Sequence, residues 1–189
     1  MMKEKDLLRE ELLKKLLPLT FEEIERRSKD VQRNIFNLSI YRKAKIIMVY
    51  YPMRGEANLL GMIRKVLGKK EVCFPIIDLE SKNLVPYKVR DLKKDFIKGP
   101  YGVTQPDIKR TEKVSPKKLD LVFVPGLAFD SHKNRLGRGI GFYDRFIKLL
   151  NRHTKKIGVA FDFQILKTLP VHIPQDEKVD IIVAETICF

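Results

Sequence analysis

The sequence is poor in the residues from which covalent and metal-based active sites are commonly built. It has two cysteines, Cys73 and Cys188, and three scattered histidines, His132, His153 and His172. With no C-x-x-C pair and no histidine cluster near either cysteine, neither a disulfide framework nor a zinc site can be assembled. No serine, cysteine or histidine constellation points to covalent catalysis, and the three histidines read as surface or structural residues. Long apolar runs are also missing, so no segment reads as a membrane span. The opening MMKEKDLLREELLKKLL is too charged for the apolar core of a signal peptide, and a cytoplasmic protein is expected. No Gly/Ser-rich linker, composition shift or internal repeat divides the chain, so residues 1–189 read as a single domain with a well-buried core.

Acidic residues are short as well: Asp and Glu number 24 against 38 Lys and Arg, a formal net charge of +14. The basic residues are spread along the chain, with no basic tail. Such a field suits a nucleic-acid binder, and it equally suits an enzyme whose substrates are polyanions. Many of the lysines can also be solvated helix faces. Diffuse charge does not choose among these.

Leucines at positions 8, 12 and 16, with Leu7 and Leu13 beside them, predict a helix from Lys3 to Leu17 that ends at Pro18. Thr20 and Glu23 form a capping-box pattern, T-F-E-E, opening a second helix to about Leu38. Strands are expected at 45–51, 72–77, 84–89 (hairpin-like), 119–126, 156–161 and 179–185, and helices at 58–67, 141–151 and, briefly, 163–168. Apolar strands alternating with amphipathic helices predict an α/β fold, a mostly parallel sheet covered on both faces. Ligands of such sheets lie beyond the carboxyl ends of the strands. The segments after Tyr51, Val124 and Phe161 are therefore expected to meet on one rim.

The most informative stretch is 121–150, where the strand LVFVPG gives way to the loop AFDSHKNRLGRGIG and then to FYDRFIKLL. Gly137, Gly139 and Gly141 alternate with Arg138 and Ile140 and stop where an amphipathic pattern begins. Backbone N–H groups without intrahelical partners point outward at such a junction, and glycine lets them approach a phosphate. Arg135, Arg138 and Arg145 add full charges, and Asp144 supplies a carboxylate for a magnesium ion. The pattern is neither G-x-x-x-x-G-K-[ST] nor G-x-G-x-x-G with a later acidic residue, so neither a Walker ATPase nor a dinucleotide dehydrogenase follows. A tight turn is the alternative reading of the glycines.

VPGLAFD (124–130) followed by NRLGRGIGFYDRF (134–146) closely resembles the signature of the 5-formyltetrahydrofolate cyclo-ligase family. The likeness extends to Lys5 and Arg9, YYPMRGE (50–56), GPYGVTQP (99–106), Asp176 and Val179-Asp180, in the family's order and at about its spacing. It implies a three-layer Rossmann-like architecture and the ATP-dependent cyclisation of 5-formyltetrahydrofolate to 5,10-methenyltetrahydrofolate. On this resemblance ATP falls on Lys5, Arg9, Arg135, Leu136, Gly137, Arg138, Gly139, Ile140, Gly141, Phe142 and Tyr143. The folate falls on Tyr51, Glu56 and residues Arg138 to Phe142, and Mg2+ falls on Asp144 and Asp176. Arg138 and Tyr143 are the expected catalytic groups. Phe142 stands where the family usually has tyrosine, Gln105 where many relatives carry an acid, and Ile140 where a small or polar residue is common. A polyglutamylated folate as substrate, a monomer, and no nucleic-acid or membrane partner are expected. The alternatives are another ATP-dependent kinase or transferase on the same scaffold, and a basic nucleic-acid-binding protein motivated by charge alone.

Overall fold

Residues 2–170 and 176–189 are described by a computed structural model; His172 lies outside the described residues. In chain order, helices α1 (Met2–Leu16), α2 (Phe21–Asn37) and α3 (Ser39–Lys43) precede strand β1 (Ile46–Met48), and α4 (Leu60–Val66) leads into the hairpin of β2 (Glu71–Asp78) and β3 (Asn83–Val89). Strands β4 (Phe96–Lys98), β5 (Thr104–Pro106), β6 (Glu112–Lys113), β7 (Leu121–Pro125), β8 (Ala128–Asp130) and β9 (Arg135–Leu136) follow, then α5 (Phe142–Ile147), β10 (Lys155–Val159), β11 (Ile165–Leu166) and β12 (Ile181–Val183).

The main sheet has 7 strands in the order β12-β10-β7-β1-β2-β3-β6. From β12 to β2 every neighbouring pair is parallel, while β3 is antiparallel to β2 and β6 antiparallel to β3. Period-two alternation divides its side chains between two cores. Ile47, Val72, Phe74, Leu121, Phe123 and Ile157 join one cluster with Leu12 and Leu16 of α1, Val31 and Ile35 of α2, Tyr41 of α3 and Met62 and Ile63 of α4. Met48, Cys73, Val122, Val124 and Ile182 join the other with Phe146 and Ile147 of α5. The expected mostly parallel α/β sheet is present. Its helical cover is uneven, with α1 to α4 on one face and α5 on the other. No helix among the described residues is long and apolar enough to cross a membrane.

The capping box of α2 forms as read from sequence: Glu23 N donates to Thr20 Oγ1 at 3.2 Å and Thr20 N to Glu23 Oε2 at 2.9 Å. Three expectations need correction. The helix expected over 141–151 closes after Ile147. The helix expected near 163–168 is a 3-10 turn, Asp162–Gln164, followed by β11. Here the Gln164 amide turns inward and donates to the carbonyls of Gly126 (2.9 Å) and Leu127 (3.0 Å), which holds the backbone away from a helical path. The stretch read as an open loop after β7 contains the hairpin of β8 and β9, extended by β11 into a three-stranded sheet. The Asp130 carboxylate organises its turn by accepting from His132 N, Asn134 N and Leu169 N at 2.9, 3.0 and 2.9 Å.

Candidate active site

Strand order reverses between β1 and β7, because β2 lies on one side of β1 and β7 on the other. The chain leaves both strands on the same rim, and the crevice there is where ligands of open α/β sheets bind. A cavity of about 830 Å3 occupies it. Every site residue expected from the sequence lines this cavity: Lys5 and Arg9 from α1, Tyr51 and Glu56 beyond β1, Arg135 to Gly141 of the glycine loop, Phe142 to Asp144 of α5, and Asp176 from the C-terminal segment. The third segment of the rim, after Phe161, supports the site from behind through Gln164 and does not line it.

The glycine loop is shaped by close approach. Gly139 has φ +103, a conformation in which a side chain is strained, and a Cβ there would lie 3.5 Å from the Arg9 guanidinium carbon. A Cβ on Gly137 would fall 2.5 Å from Arg135 Nη1. Arg9 Nε donates to Gly137 O at 3.0 Å, so α1 is docked directly on the loop. Because α5 is only 6 residues long, its macrodipole is small. Positive charge around the loop therefore comes chiefly from the side chains of Lys5, Arg9, Arg135 and Arg138.

Asp6 pairs with Arg9 within α1, and three further carboxylates face these cations. Lys5 Nζ, almost fully buried, pairs with Asp176. Arg135 Nη2 pairs with Asp144 Oδ1 at 2.8 Å, and the same oxygen accepts from Glu177 N at 3.3 Å. Arg138 Nη2 lies 3.4 Å from Glu56 Oε1, while Met53 N donates to Glu56 Oε2 at 2.9 Å. Burial pushes the Glu56 carboxyl above the ordinary value near 4.5, against the Met53 N–H and Arg138, which favour the anion. Among the described residues no three His, Cys, Asp or Glu side chains converge as a metal site. Two aspartates on one cavity nevertheless fit magnesium, which takes one or two protein carboxylates and completes its shell with phosphate oxygens and water.

The Tyr143 hydroxyl is buried without a hydrogen-bond partner among the described residues, and so is Arg135 Nε. Burial, helped by the nearby Glu56 carboxyl, raises the Tyr143 phenol far above 10, so it is a neutral donor. Unsatisfied buried donors on a cavity wall are groups that a ligand can complete. Phe142 packs between the Arg145 guanidinium, 5.4 Å from the ring centre, and the edge of Tyr101 at 6.3 Å. Tyr101 has φ +56 and is exposed, and it lines the cavity, although only resemblance marked its segment. Arg145 donates to Lys82 O at 2.7 Å and to Ile140 O at 3.0 Å, joining the β2–β3 turn to the glycine loop. Gln105 does not line the cavity: it is buried under Gly99 and accepts from Ile77 N at 3.2 Å, a structural role. Tyr51 lies against Phe96 at 5.1 Å with its edge on the cavity.

The chain matches the model of the 5-formyltetrahydrofolate cyclo-ligase family over residues 1–185. It is 31% identical over 188 residues to the 5-formyltetrahydrofolate cyclo-ligase of Mus musculus, covering 94% of this chain and 92% of the relative. A probable 5-formyltetrahydrofolate cyclo-ligase of Caenorhabditis elegans is 32% identical over 182 residues, covering 89% of this chain and 87% of the relative. The NMR structure of Aquifex aeolicus 5,10-methenyltetrahydrofolate synthetase superposes with a TM-score of 0.85 at 34% identity, over 97% of this chain and 91% of that one. With this match along nearly its whole length, the chain belongs to the 5-formyltetrahydrofolate cyclo-ligase family.

Proposed function

We propose that this chain catalyses the ATP- and magnesium-dependent cyclisation of 5-formyltetrahydrofolate to 5,10-methenyltetrahydrofolate, releasing ADP and phosphate. The observation that carries this reading is the meeting, on one cavity, of a glycine loop ringed by cations with the largely buried Glu56 carboxylate and aromatic rings. The first suits a triphosphate and the second a pterin.

A formamide oxygen is a poor nucleophile and a worse leaving group, so activation must come first. The formyl oxygen attacks the γ-phosphorus and ADP departs, leaving an imidate phosphate. N10 then donates its electron pair to the activated carbon and loses its proton, and the C–O bond breaks as phosphate leaves with the former formyl oxygen. No protein nucleophile is needed, and the work of the site is positioning and charge stabilisation.

In this scheme Lys5, Arg9, Arg135 and the amides of residues 136–143 hold the triphosphate. Glu56 accepts from the aminopyrimidine edge of the pterin, with Tyr51 and Phe142 against its ring. Arg138, beside Glu56, stabilises negative charge on the transferring phosphoryl group, and the unpartnered Tyr143 hydroxyl donates to the reacting oxygen. Asp144 and Asp176 would hold magnesium, which neutralises phosphate charge when bound. The excess positive charge favours polyglutamylated tails, and raising salt should erode that preference.

Formyl-18O substrate tests the scheme. The label should appear in inorganic phosphate; unlabelled phosphate would exclude the imidate phosphate.

A further inference from the structure

Two of the cations proposed for the triphosphate are already engaged by the two carboxylates proposed for the metal. Arg135 is held by Asp144 at 2.8 Å, with side-chain exposures of 4% and 20%. Lys5 is held by Asp176, with exposures of 7% and 23%. The four residues come from four places in the chain: α1, β9, α5 and the segment before β12. Such a double pairing has a physical basis, because a cation this deeply buried is costly without a counter-charge. The four side chains thus neutralise one another in two pairs.

Resting on the nucleotide and metal reading above, we infer that ATP and magnesium enter by exchanging ion-pair partners. The phosphates take Arg135 and Lys5, and the released Asp144 and Asp176 take the metal. Nucleotide without metal would leave two carboxylates facing phosphate oxygens. Metal without nucleotide would strip two buried cations of their counter-charges. Only the joint arrival replaces both ion pairs at once, so each ligand strengthens the other by the same factor, as linkage requires. Two carboxylates that served only as metal ligands would repel metal-free nucleotide through space, as any nearby carboxylate does; in the exchange they also withhold Arg135 and Lys5, so their removal has a larger effect than removal of a neighbouring carboxylate that holds neither cation.

Calorimetric titration of ATP into the full chain, in EDTA and in magnesium, tests this with Asp144→Asn and Asp176→Asn. Circular dichroism confirms that each is folded. Each variant should bind metal-free ATP about fivefold or more tighter than the native chain, and the enhancement by magnesium should shrink about tenfold, within the usual range of coupling. Glu177→Gln removes a neighbouring carboxylate that pairs with Lys148 at 3.8 Å, and it should move metal-free affinity less than either variant. Magnesium-dependent binding by the native chain, with metal-free affinity unchanged or weakened in both Asn variants, overturns the exchange alone. So does an equal gain in Glu177→Gln, which would reveal a general field effect. A native chain that binds no ATP even with magnesium removes the proposed reaction together with the exchange.

Discussion

Arg9 Nε donates a 3.0 Å hydrogen bond to the Gly137 carbonyl, joining the first helix to a loop 128 residues further along the chain. The contact fixes the position of the loop and places a cation at its mouth. Arg9→Ala should raise the KM for ATP about tenfold, the scale of one hydrogen bond to a charged group. Arg9→Lys keeps the charge without the planar guanidinium and should recover only part of the loss. Steady-state kinetics with varied ATP measures both, and an unchanged KM in Arg9→Ala would remove this residue from the nucleotide site.

Glu56 supplies the pH dependence. Its carboxyl titrates above 4.5 in the fold because it is buried. As pH falls through that raised value the anion is lost, and with it the acceptor proposed for the pterin. The KM for folate should therefore rise on the acidic side, starting above pH 4.5, and Glu56→Gln should flatten that limb while raising KM at neutral pH. The same shift affects stability with the opposite sign. Between 4.5 and the raised value the folded chain binds more protons than the unfolded one, so Glu56 lowers stability as pH rises through that window. Kinetics and thermal melts across pH 4.5–8 would check both, and a limb unmoved by Glu56→Gln would assign it to another group.

Tyr143 separates function from folding. Its hydroxyl is buried with no partner among the described residues, so deleting it removes no hydrogen bond to any of them. Tyr143→Phe should leave stability within about 0.5 kcal/mol of the native chain and lower kcat by about 10- to 100-fold, near the lower end for a lost transition-state donor. A full kcat would show that the phenol does not meet the reacting oxygen.

Gly158, in β10, concerns packing alone. A Cβ there would lie 2.5 Å from Phe129 Cε1, and Phe129, on β8, is completely buried. Gly158→Ala should cost about 1–3 kcal/mol, the usual range for overpacking a core, visible as a lowered Tm. An unchanged Tm would mean that the ring has room to move.

Local signals carried much of the fold. Thr20 and Glu23 announce α2 within four residues, and the apolar runs at Ile46–Met48 and Leu121–Pro125 announce the central strands. What escaped depends on distant partners. Gln164 abandons a helical path to satisfy carbonyls 37 and 38 residues away, and β8 and β9 become a hairpin because Asp130 gathers its turn and β11 adds a third strand. The glycine block was legible as a loop between a strand and a helix, and it lines the rim cavity as read; resemblance supplied Lys5, Glu56 and Asp176, which line the same cavity. The pairing of those residues with Arg138 and with each other, and the place of Tyr101 opposite Phe142, required the tertiary fold. Gln105, notable in the sequence only as a departure from the family pattern, supports the sheet through its contacts with Ile77 and Gly99.

The most direct measurement is an absorbance assay for 5,10-methenyltetrahydrofolate, using the purified chain with 5-formyltetrahydrofolate and magnesium, with and without ATP, alongside quantitation of ADP. Product formed only in the presence of ATP, with one ADP released per folate cyclised, is the expected result. A folded protein that yields no product, or that yields it without consuming ATP, would contradict the proposed reaction.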